Sequence, residues 1–119
     1  MARLRRDAEV LSFRFRLAYK EVSPENPRVK RRYGLCTHDG RIFVRLRHVR
    51  TGELLKYSSL VNTLCHELAH LRHFNHGPRF KRFYLEILED ARRRGIYQPG
   101  PSAPRSAIQL ELFPSATCS

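Results

Sequence analysis

The segment His66-Glu67-Leu68-Ala69-His70, followed by His76, constrains this chain more than any other feature. On a helix, histidines four residues apart lie on one face about a turn from each other, so both imidazoles can reach one ion. The apolar positions must then face elsewhere. Leu60, Leu64, Leu68 and Leu71 recur at helical spacing and point away from the side that carries His66 and His70. Ser58 or Ser59 is placed to cap the start. Glu67 adjoins the pair, where it can take a proton from a water that zinc has made acidic.

A helix continuing past His70 would spread His66, His70 and His73 over about 10 Å, too far for one zinc with bonds of about 2 Å. A break near Asn75 and Gly77 would instead swing His76 back over the ion, because Asn and Gly tolerate such a turn. Three histidines leave a fourth position for water, the arrangement of a catalytic rather than a structural zinc. If His76 does not serve, Glu86 or Glu89 becomes the substitute ligand. For an oxyanion stabiliser the candidates are Tyr57, Tyr84 and His73, with nothing to rank them.

At 119 residues the chain is expected to form one small domain. It has no long apolar run, and its charged N-terminus does not read as a secretory signal, so a cytoplasmic monomer without membrane contact is expected. Cys36, Cys65 and Cys118 are an odd, scattered set that suits neither a disulfide framework nor a structural zinc site. Cys65 is turned off the metal face and reads as a packed thiol. The net charge of +12 points to polyanions, with an arginine-rich surface of no functional meaning as the alternative.

The N-terminal segment fits a helix through Leu4, Ala8, Leu11, Phe15 and Ala18, and a strand through Leu11, Phe13, Phe15 and Leu17; the helix is preferred. Ser23-Pro24-Glu25-Asn26-Pro27 is expected to break the chain. Strands are predicted between Arg28 and Arg50, joined at Thr37-His38-Asp39-Gly40 by a hairpin turn. Ile42, Val44 and Leu46 would face the core. Phe43, Arg45 and Arg47 would form an outer face able to hold phosphates and stack on unpaired bases, although a charge-protected edge strand reads the same way. Pro78 opens a further helix and Gly95 closes it, with Phe80, Phe83, Tyr84, Ile87, Leu88 and Ala91 as its buried stripe. Arg79, Lys81 and Arg82 make its start basic. From Gln98 onward the composition is that of a flexible tail, tipped by the apolar Ile108-Gln109-Leu110-Glu111-Leu112-Phe113, which either folds back on the domain or is read by a partner.

Tyr33-Gly34-Leu35-Cys36, the Ile42–Arg47 run, Leu64–His70 and His76-Gly77-Pro78-Arg79-Phe80 together resemble the WLM and SprT-like (Spartan-like) zinc metallopeptidases. The YgjP-like peptidases share the last two pieces. The resemblance implies a small α+β zincin-type domain over residues 1–97, in which a short antiparallel sheet packs on the active-site helix and on a second, C-terminal helix. Residues 98–119 would form the tail. It also implies zinc held by His66, His70 and His76, with Glu67 as general base. Proteases of this group degrade proteins attached to DNA, so DNA and DNA-bound proteins become the expected partners, contacted through Arg45, Arg47, Arg79, Lys81 and Arg82. In the tail, Gln109, Leu110, Leu112 and Phe113 resemble the peptide by which bacterial replication and repair proteins bind the β sliding clamp. Two other functions compete: a general cytosolic zinc peptidase with no DNA role, and a non-catalytic zinc-containing module that binds DNA or the clamp. Glu67 argues against the latter, since a structural site needs no base.

Overall fold

The computed structural model describes residues 1–26, 28, 33–48 and 50–99. The chain runs α1 (Ala2–Phe15), β1 (Glu21–Pro24), β2 (Gly34–Cys36), β3 (Arg41–Val44), α2 (Tyr57–His70) and α3 (Pro78–Arg93). The tail from residue 100, with Gln109, Leu110, Leu112, Phe113 and Cys118, lies outside the described residues.

Helix α1 forms because Leu4, Ala8 and Leu11 recur on one face and are buried there. It stops at Arg16, whose left-handed backbone (φ 56°) lets Leu17 N–H close on Ser12 O at 2.8 Å. The helical reading of this segment holds, but Ala18 falls beyond its end.

The three strands lie in the order β1-β3-β2. Antiparallel β2 and β3 meet through the expected turn, with Gly40 at φ 91°. The sheet is mixed rather than antiparallel, because Glu21–Pro24 pairs parallel to Arg41–Val44. Ser23 and Pro24 therefore do not break the chain; they end an edge strand, a place where a proline's missing N–H costs little.

Helix α2 packs against β2 and β3 on one side and against α3 on another, while α1 touches both helices. Val22, Ile42 and Val44 from the sheet meet Val61, Leu64 and Leu68 of α2 and Phe80, Tyr84 and Ile87 of α3 in one core. Cys36 and Cys65 are free, buried thiols. The cap of α2 is Lys56, with no side-chain hydrogen bond, so neither Ser58 nor Ser59 serves as expected. Pro78 opens α3 and Gly95 (φ 76°) follows its end, as the sequence predicts. Among the described residues no helix is long and apolar enough to cross a membrane.

Candidate metal centre and active site

The last turn of α2 carries His66, Glu67 and His70, at 2%, 1% and 0% exposure. The helix ends at His70, with Leu71 as its C-cap, earlier than the break expected near Asn75. His73 is thus off the helix altogether. Its carbonyl accepts a hydrogen bond from His70 Nδ1 at 3.0 Å, and its ring meets Phe83 edge-on. Fixing the proton on Nδ1 leaves the Nε2 lone pair of His70 free to bind a metal, a common orienting device for metal-binding histidines.

The loop then returns the exposed His76 to the helix. His70 Nε2 and His76 Nε2 lie 3.0 Å apart, and the ligand atoms of His66, His70 and His76 all fall within 4.8 Å of one another. Two nitrogens on one tetrahedral zinc, with bonds of about 2.0–2.1 Å, would stand roughly 3.3 Å apart. The donor set therefore suits zinc in kind, and the His70–His76 pair is close to that spacing. Burial lowers the pKa of His66 to about 4 and that of His70 to about 3, and lowers that of His76 as well. His66 and His70 are neutral at pH 7, as a metal ligand must be, and the shift at His76 is in the same direction.

Phe80, from the first turn of α3, touches all three rings. It stacks on His70 (centroids 4.2 Å apart, 22°) and meets His66 and His76 edge-on at 4.9 and 5.0 Å. The sequence places Phe80 only in a buried stripe; that it walls the whole ligand set depends on how α3 packs on α2.

Glu67 Oε2 lies 3.2 Å from His66 Nδ1, beside the triad but outside it. It therefore adjoins the buried imidazoles on the same helix, where a carboxylate can accept a proton. The oxyanion candidates fare differently. The Tyr57 hydroxyl donates to Asp7, and the buried Tyr84 hydroxyl donates to Asn62. Glu86 and Glu89 line a groove with Arg14, Phe15 and Leu85 and do not join the triad.

The anticipated arginine face divides. Strand β3 ends at Val44, so alternation does not carry through to Arg47, and Arg45 is buried at 7% exposure. Arg47 is exposed and donates to Gly52 O at 2.9 Å. Both arginines nevertheless line a cavity of about 520 Å³ with Pro24, Glu25, Leu46 and His48. Arg79, Lys81 and Arg82 are exposed at the start of α3.

Wss1 from Saccharomyces cerevisiae has a similar fold, with TM-score 0.69 and 22% identity over 77% of this chain and 76% of that one. A Wss1 mutant matches with TM-score 0.69 and 21% identity, over 79% of each chain. No curated protein sequence matches. At these identities the likeness to Wss1 is one of fold. The model of the WLM domain, a metalloprotease family, matches residues 5–102, and the chain belongs to the WLM domain family.

Proposed function

We propose that this protein is a zinc-dependent endopeptidase acting on proteins associated with DNA. The observation that carries the reading is the convergence of His66, His70 and His76 with Glu67 beside them. These three histidines would hold zinc, which when bound acidifies water and polarises a peptide carbonyl. Glu67 takes a proton from the attacking water as its oxygen bonds to the carbonyl carbon. As the C–N bond breaks, the same carboxyl delivers that proton to the leaving amine. Neutral, buried His66 and His70 need no deprotonation to accept the metal.

Zinc content and cleavage of a DNA-bound protein, with and without DNA, test this in wild type and Glu67→Gln. The amide nearly matches the carboxylate in shape but cannot accept the proton. Zinc should stay near one per chain while kcat falls by roughly 10²–10⁴-fold. Equal cleavage by the two proteins would remove the enzyme.

Support for DNA association comes from the charge of +12 and from exposed Arg47, Arg79, Lys81 and Arg82. Affinity should fall steeply with salt, and Arg79→Ala with Lys81→Ala should weaken binding without altering zinc content. A protein that shows no retention on DNA at low salt would leave a zinc peptidase without the DNA role. For the tail we propose a clamp ligand: a peptide of residues 106–115 should bind a bacterial β clamp and lose binding when Leu112 and Phe113 become Ala.

A further inference from the structure

Gly34 stands at the start of β2, opposite Val44 of β3. Its φ is not among the positive glycine angles, which belong to Gly40, Gly52 and Gly95, so backbone conformation does not require glycine here. Space does. A Cβ built on Gly34 would lie 2.7 Å from Thr63 Cγ2, 2.9 Å from Glu67 Oε2 and 3.0 Å from Phe43 O. Carbon and oxygen atoms pack at about 3.5 Å or more, so every one of these contacts is an overlap.

The three neighbours would yield to different degrees. Phe43 O belongs to the backbone of the central strand and is held in the sheet. Thr63 is β-branched and on a helix, where its χ1 choices are few. Glu67 Oε2 is the far end of a flexible side chain and moves at least cost. Gly34 and Cys36 alternate with Leu35, and both are buried where β2 meets α2. The Cys36 thiol registers the same proximity: its pKa is pushed up to about 12 by burial, with the Glu67 carboxylate adding to the rise.

We infer that Gly34 is a positioning residue for Glu67: by having no side chain, it lets the carboxylate rest against β2 at the edge of the three-histidine cluster. The inference builds on the reading of Glu67 as general base and adds what sets its place. An alanine methyl would turn the carboxylate aside without pressing first on the imidazoles, since its three nearest neighbours are Thr63, Glu67 and Phe43 and not His66 or His70. A misplacement of about 1 Å at a reacting group can cost on the order of 10²-fold in rate.

The test uses Gly34→Ala, Thr63→Ser and the double variant, each loaded with zinc. Three quantities are read: zinc affinity by chelator competition, kcat and KM on a peptide, and the affinity for a small hydroxamate, which binds zinc and hydrogen-bonds the glutamate. Gly34→Ala should keep wild-type zinc affinity and KM, lose roughly 10–100-fold in kcat, and bind the hydroxamate roughly tenfold more weakly. Thr63→Ser should behave as wild type. The double variant should stay impaired, because removing the Thr63 methyl relieves the shortest overlap and not the one with Glu67. Should Gly34→Ala fail to fold, the double variant carries the same measurements. Unchanged kcat and hydroxamate affinity in Gly34→Ala, full recovery in the double variant, or failure of both to fold would overturn the inference, the last two by showing that the glycine serves strand–helix packing alone. A wild type that binds hydroxamate through Glu67 but cleaves no peptide would defeat the endopeptidase reading instead, and the hydroxamate series would still decide the role of Gly34.

Discussion

Two histidines of the cluster and the third are built in opposite ways. His66 and His70 sit on a helix, are nearly sealed from solvent, and are held by burial in their neutral form, with pKa values of about 4 and about 3. His76 is exposed and reaches His70 from a loop. The difference teaches where the centre is preformed and where it can open. The helix pair is fixed by the core of the domain, whereas the third histidine depends on a few contacts along residues 71–77.

The largest effect should come from the residue that serves both sides. Phe80→Ala removes the ring that touches all three imidazoles and opens a cavity between α2 and α3, at a cost of about 3–5 kcal/mol. Chemical denaturation and chelator competition should show stability and zinc affinity falling together. Stability lost with zinc affinity intact would mean that the helix pair and the loop hold their geometry without the wall.

A pH series on the metal-free protein separates the two sides. An unfolded histidine titrates near about 6.5, above the folded values of His66 and His70, so between those values the unfolded chain binds more protons. The contribution of the pair is therefore fully present above about pH 6.5 and is lost as pH falls from there towards the folded values. Melting temperature should drop on acidification below about 6.5 in wild type and in His76→Ala, and less in His70→Ala, which keeps only the His66 share. Equal dependence in all three proteins would erase the contrast between helix and loop.

The smallest expected effect is local to the loop. His38 of the β2–β3 turn stacks on Phe74, with centroids 4.1 Å apart and planes 7° apart, and Phe74 in turn lies tilted beside His70. His38→Ala should cost about 0.5–1.5 kcal/mol and quicken zinc release by loosening the segment that delivers His76. Stopped-flow metal transfer to a chelator reads this. An unchanged release rate would show that the His38–Phe74 stack does not hold the segment that carries His76.

Much of this was open to a reader of the sequence, for reasons that differ by element. The spacing of His66 and His70 needs only the pitch of a helix to bring them together, and Pro78 and Gly95 mark the limits of α3 by their own backbone preferences. His76 lies with His66 and His70 in the fold while His73 does not, and for a reason other than helix length: the helix stops at His70, and His73 meets His70 through its carbonyl. Period-two alternation puts Arg45 and Arg47 on one face only if the strand reaches them, and β3 ends at Val44, where the pleat no longer applies.

What the sequence by itself determined, then, is whatever lies within a turn or two of chain: the facing histidines, the adjacent carboxylate, the hairpin turn at Gly40 and the boundaries of α3. The parallel pairing of Glu21–Pro24 with Arg41–Val44, the burial of Arg45, the contact of Phe80 with every ligand ring and the closeness of Gly34 to Glu67 were decided only by tertiary structure. Local spacing follows from helix and strand geometry, which repeats with a fixed period. Contacts between residues 20 or more apart depend on how several elements pack at once, and no periodicity along the chain encodes that.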